Sequence, residues 1–254
     1  MKNLQFKIYK TLVKKEVTRF TRIWTQTILP PIINQSLYFI IFGQFIGSQI
    51  ANIQGLSYMQ FLVPGLLMMG MINASYSNVV SSFFGSKFQR SIEEILVAPV
   101  SKTTMIFGFI SGGILRGLLV GALIYLVSLF FTQFQVYSIM QVILFSILTA
   151  SAFALAGLIN GIYAKKFDDI SIIPTFVLTP LTYFGGVFYA LESLPEFWVA
   201  LSKFNPIVYM IDGFRAGFYN INYFQNSTNL TVLIVLNIAL FALAYKLIQK
   251  VTRA

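Results

Sequence analysis

Residues 174–215 read PTFVLTPLTYFGGVFYALESLPEFWVALSKFNPIVYMIDGFR. The run begins as a membrane span and ends as something else. From Ile170 to Tyr189 the chain is apolar over about 30 Å of helix, the thickness of a hydrocarbon core. Glu192, Glu196 and Lys203 then arrive before the next apolar block, so an external, polar and aromatic-rich helical cap is expected after the span. Gly185 and Gly186 mark the junction, where small residues let backbones approach or a helix bend. Pro195 is suited to opening a short helix, and Asn205-Pro206 to a turn. Phe188 and Tyr189, with Tyr183, Phe184, Phe197 and Trp198, fit either a belt at the membrane interface or a face toward an amphiphilic cargo.

The chain around this stretch is of one kind. Its 254 residues are 57% hydrophobic and 10% charged, whereas soluble domains carry about 25% charged residues. The fold class is therefore an all-α integral membrane protein, and with no linker or compositional shift, residues 1–254 read as a single transmembrane domain. Cys and His are both absent, which removes disulfides, thiol nucleophiles and imidazole bases or ligands. Neither a catalytic nor a metal site is expected.

Six transmembrane helices are expected, at about residues 24–46, 58–84, 104–131, 137–163, 170–189 and 230–248. Ahead of the first, Lys2, Lys7, Lys10, Lys14, Lys15, Arg19 and Arg22 face only Glu16, while Leu4, Ile8, Leu12, Val13, Val17, Phe20 and Trp24 recur at helical spacing. That pattern describes an N-terminal amphipathic helix lying on the cytoplasmic membrane surface. Pro30-Pro31 interrupts the first span, and Pro64-Gly65 should kink the second. In the third, Gly108, Gly112, Gly113, Gly117 and Gly121 form two ladders of four-residue spacing suited to close helix packing.

Between the second and third spans the chain turns polar. Ser91 and Glu94 fit a capping box, Ile92, Ile95 and Leu96 share a face with Glu93 beside them, and Pro99 stops the helix. A helix of two turns is not stable alone and needs a surface to lie on. Arg116 is the only charge inside an apolar block. It is expected to snorkel to the inner interface, with a place in the path, bound to backbone carbonyls or an anionic headgroup, as the alternative.

Charge sets the orientation. With both termini inside, 15 of the 18 Lys and Arg fall on the cytoplasmic side, including Lys250 and Arg253 of a basic tail. Glu192, Glu196 and Asp212 fall outside with Lys203 and Arg215, and no acid falls in a span. A proton-driven carrier usually needs such an acid. The basic excess is thus accounted for by topology, and no nucleic-acid partner is expected.

The run GGVFYALESLPEFWVALSKFNPIVYMIDGFR at 185–215 resembles the signature at the external end of the fifth span of type-2 ABC transporter permeases. The resemblance extends through RFTRIWTQTILPP at 19–31, FLVPGLLMMG at 61–70 and FGSKFQRSIEEILVAPV at 84–100. It implies the transmembrane subunit of an ATP-driven exporter in a bacterial inner membrane, built from two copies of this chain and two ATPase subunits. It also implies that Ser91–Pro99 is a coupling helix docking on the ATPase. No GxxxxGK[ST] phosphate loop occurs in the chain, so the chain carries no cofactor of its own, and ATP and Mg would sit on the partner. Related permeases are associated with lipids, polysaccharides and drugs. A channel or scaffold subunit without ATP coupling would also have apolar spans and glycine ladders, but no need of a coupling helix.

Overall fold

The computed structural model describes residues 2–50 and 52–251 and is helical throughout, with no strand among those residues. Arg253 of the basic tail lies outside them. Among the described residues, four stretches are long and apolar enough to cross a membrane: Trp24–Gln49, Lys102–Ser128, Ile139–Tyr163 and Asn226–Lys250.

The N-terminal helix α1 (Lys2–Arg22) leads into two short helices, α2 (Trp24–Thr27) and α3 (Leu29–Tyr38), and then a π-helical turn, Phe39–Ile46. The breaks at Ile23 and Ile28 (φ −111° and −110°) precede Pro30 and Pro31, which have no N–H to extend the ladder. Helix α4 (Tyr58–Phe88) is the axis of the molecule, packed by helices α6 (Lys102–Ser128) and α7 (Ile139–Tyr163). Its start carries the capping box: Ser57 Oγ accepts from Gln60 N (3.3 Å) and Gln60 Oε1 from Ser57 N (3.1 Å). Because its own chain surrounds it, α4 can hold buried Ser75, Asn78 and Ser82. Buried Tyr76 accepts from Asn160 Nδ2 of α7 at 2.8 Å.

The two glycine ladders of α6 serve different neighbours. A Cβ on Gly108 would lie 2.7 Å from Leu12 Cδ1, and one on Gly112 would lie 2.5 Å from Glu16 Cβ, so this face seats α1. Gly113 and Gly121 meet Val79 and Met71 of α4 at 2.5 and 2.6 Å instead. The N-terminal helix therefore packs on protein along Leu12, Glu16 and Phe20, all buried, rather than lying on the membrane surface by its apolar face alone.

The fifth span differs from expectation. Helix α8 (Asp169–Ile173), a π-helical turn (Pro174–Leu178) and α9 (Thr179–Tyr183) make one continuous rod that stops at Tyr183, not 189. That rod is roughly 22 Å long. Gly186, at φ +78°, takes the left-handed conformation that ends it. Beyond lie the short helix α10 (Glu196–Ser202) and α11 (Pro206–Tyr219), then α12 (Asn226–Val251). Only α10 is cap-like. Helix α11 packs against α4, α7 and α12, with Ile207, Val208 and Met210–Phe218 buried. At 14 residues, or about 21 Å, it enters the bundle without crossing it.

Candidate functional site

The segment expected to couple, α5 (Ser91–Val97), is entered through Arg90 at φ +59°, a left-handed residue that turns the chain sharply off α4. The capping box expected at Ser91 and Glu94 is not formed. Ser91 is already the first helical residue, and its hydroxyl donates to Ser86 O (3.3 Å) instead. Ile92 is buried among Phe83, Met105, Ile106 and Phe109, with Ile95 and Leu96 partly buried against the same cluster. The apolar face of α5 thus rests on its own chain. What it turns outward is Glu93, Glu94, Pro99 and Val97, which is 88% exposed.

Gln5 fastens α1 to the end of this segment. Its Nε2 donates to Pro99 O (2.7 Å) and its Oε1 accepts from Ser101 N (2.9 Å), pairing two backbone groups of the loop that follows α5. Farther along, buried Glu16 accepts from Ser82 Oγ (2.5 Å) and meets Arg19 Nη2 (3.4 Å). The same Nη2 donates to Asn78 O (2.8 Å) and Asn78 Oδ1 (2.9 Å). A cleft of about 570 Å³ opens beside this network, with Lys15, Arg19, Gln89 and Glu94 in its walls. At the neighbouring helix end, Lys87 Nζ donates to Ile162 O (2.7 Å) and Ala164 O (2.8 Å), capping α7. In the following loop, the backbone N–H groups of Lys165 and Lys166 hold the Asp169 carboxyl below the usual carboxylate range.

None of the Gln5, Glu16, Arg19, Asn78 and Ser82 contacts was anticipated from sequence. A lone carboxylate midway between Leu12 and Phe20, four residues from each, was the available signal. Arg116, expected to snorkel, is 7% exposed, and its Nη2 donates to Thr27 O at 2.7 Å. It continues the ladder of Gly108 and Gly112 that faces α1.

At the opposite end, Gly185, Gly186, Phe188, Tyr189, Asn205 and Pro206 are brought together, and Pro195 stands apart as the cap of α10. A Cβ on Gly185 would lie 2.8 Å from Ile207 Cγ2. Val187 runs so close to α4 that a Cβ on Gly65 would lie 2.9 Å from its Cα. Phe188 packs on Tyr38, Phe42 and Tyr183 with ring centroids 5.0–5.8 Å apart. The Tyr189 hydroxyl is buried beside the backbone of Gly186. Asn205-Pro206 is not a simple turn: Asn205 Oδ1 accepts from Ile207 N (3.0 Å), Asn205 Nδ2 donates to Leu181 O (2.7 Å), and Pro206 begins α11.

Asp212 and Arg215, read from sequence as charges outside the spans, are 5% and 7% exposed. Asp212 accepts from Tyr223 N (2.7 Å), Phe224 N (2.9 Å) and Asn229 Nδ2 (2.8 Å). Arg215 donates to Gly186 O (2.9 Å), with its guanidinium carbon 3.8 Å from the centroid of the Phe61 ring. The left-handed glycine is held by the helix that folds back behind it.

One further feature of α4 stands out. Along its middle and inner half, from Asn73 onward, the residues not buried are Asn73, Ser77, Ser81 and Gly85, then Lys87 and Phe88 at its end. The first four form a single polar, small-residue stripe with four-residue spacing.

Residues 8–219 match the family model described as ABC-2 type transporter. The chain is 56% identical over 250 residues to the inner membrane transport permease YadH of Escherichia coli K12, covering 98% of both chains. It is 24% identical over 180 residues to nodulation protein J of Rhizobium leguminosarum bv. trifolii, covering 70% of this chain and 69% of that one.

Proposed function

Because the chain belongs to the ABC-2 type transporter family of membrane permeases, we propose that it is the transmembrane subunit of an ATP-driven exporter, working as a pair of copies with a separate ATPase. The observation that carries this reading is the stripe Asn73, Ser77, Ser81 and Gly85. In a chain this apolar, polar residues left uncovered on the central helix do not suit lipid. They suit a second copy of the same helix or a path between the two. The stripe runs into the cleft that holds Lys15, Arg19 and Glu94, which gives such a path an inner mouth.

On this reading residues 1–254 form one domain with six spans, both termini in the cytoplasm of a bacterium whose inner membrane holds the protein. The fifth span is the short α8–α9 rod completed by the returning α11. The ATPase, with its ATP and Mg, docks on the outward residues Glu93, Glu94 and Val97 and on α1. Ser91, Ile92, Ile95 and Leu96 hold that helix to the bundle, and Gln5 ties it to α1. Movement of α5 is transmitted along α1 and α4 toward the outer junction at Gly185 and Gly186, where α11 acts as gate.

The test uses the absence of native cysteine. With Ser77→Cys or Ser81→Cys in membranes, disulfide cross-linking between two copies is expected, and a tagged copy is expected to bring an ATPase with it. Val97→Asp should remove that ATPase while leaving the cross-link. Single cysteines at 10, 90, 167 and 250 should be shielded from impermeant reagents in intact cells, and one at 193 should label. A chain that neither cross-links nor retains an ATPase is a scaffold or channel, and the reading fails.

A further inference from the structure

The joint between α1 and the first span has a chemical defect built into its sequence. In a helix the carbonyl of Thr27 would accept from the N–H three or four residues on. Those residues are Pro30 and Pro31, and neither has an N–H. Thr27 is 6% exposed, so water does not replace the missing donor. A buried carbonyl without a partner carries its full desolvation penalty.

The side chain of Thr27 does not supply the donor either. Its hydroxyl donates backward, to Phe20 O (2.7 Å) and Ile23 O (3.1 Å), stitching the end of α1. The donor comes from α6: Arg116 Nη2, at 2.7 Å. Arg116 reaches this point because it lies four and eight residues beyond Gly112 and Gly108, on the face that seats α1.

We infer that Arg116 is a positioning residue, which replaces the backbone donor lost to the double proline and so fixes the angle at which α1 joins the first span. It binds no cargo in this role. A flexible joint would let α1 move without moving α3, whereas a pinned one makes α1, α3 and α6 shift together. The consequence for transport rests on the permease reading above, but the pinning itself does not.

The experiment follows from the proline. Pro31→Ala returns an N–H four residues from Thr27, and a carbonyl can accept two hydrogen bonds. Spin labels at Lys14→Cys and Leu37→Cys, both exposed positions, report the joint angle in the full chain in lipid nanodiscs. Arg116→Met should broaden the label distance distribution. Arg116→Lys, which keeps an N–H donor and the charge, should leave it narrow. In a Pro31→Ala background, Arg116→Met should broaden it far less. If Arg116→Met yields little folded protein, Pro31→Ala should recover that yield. An unchanged distribution in Arg116→Met, or the same loss in both proline backgrounds, overturns the proposal, because a merely space-filling arginine has no reason to be relieved by a backbone N–H restored on another helix. The distance readout requires neither ATPase nor cargo, so failure of the joint and failure of the permease reading are separable.

Discussion

The two ends of the bundle are held in different ways. At the α1–α5 end, long side chains reach between elements and end on backbone carbonyls: Gln5 on Pro99, Lys87 on Ile162 and Ala164, Arg19 on Asn78, Arg116 on Thr27. At the α11 end, where Arg215 likewise ends on the Gly186 carbonyl, backbone itself also comes close, with Gly65 against the Val187 backbone, beside Gly185 against Ile207 and Gly213 against Phe145. Side-chain hydrogen bonds can be exchanged one at a time, each with a modest net effect. Close backbone contact cannot, because close-packed surfaces have no partial position. The first end can be loosened contact by contact, whereas the second holds its packing as a unit.

That contrast is open to direct attack, and the most severe test is Asp212→Ala. It strips three donors of their acceptor and leaves Arg215 buried beside no carboxylate. A loss of about 4 kcal/mol is expected, read as a fall in Tm of the purified protein or in its folded yield.

Gly65→Leu should come next. Its Cβ meets Val187 backbone rather than a flexible side-chain tip, so overpacking should cost about 3 kcal/mol. The Ala variant should be milder, and Gly185→Leu should resemble Gly65→Leu because it forces the same junction apart against Ile207. If both Leu variants melt with the parent, the junction is loose and the comparison between the two ends fails.

Gln5→Ala should have the smallest effect. The contacts it removes are exposed, so about 1 kcal/mol or less is at stake. Hydrogen exchange of Ser101 N–H should nevertheless accelerate while the rest of α6 stays protected. Unchanged exchange at Ser101 would mean that α1 and α5 are not tied there.

Much of the helix layout was legible in the sequence because it depends on local quantities. Apolar length set the spans at 104–131 and 137–163, observed as Lys102–Ser128 and Ile139–Tyr163. The four-residue spacing of the α6 glycines announced close packing before any partner was known. The helix over Ser91–Val97 was also expected, although the capping box read at Ser91 and Glu94 is not formed, and the one observed, at Ser57 and Gln60, starts α4 instead.

What the sequence could not state is which face of each element meets which neighbour. Ile92 was equally suited to a partner's groove and to its own chain, and only the packing of α4, α6 and α12 around it shows that it is used internally. Glu16, Asp212 and Arg215 looked like solvent charges because their donors and acceptors lie on other elements, as many as 66 residues away. For Arg116 both halves of the answer were written in the chain, in the prolines at 30 and 31 and in the ladder at 108 and 112. Apolar length and periodicity are local and can be read residue by residue, but a hydrogen bond between Arg116 and Thr27 exists only once folding sets the two helices side by side.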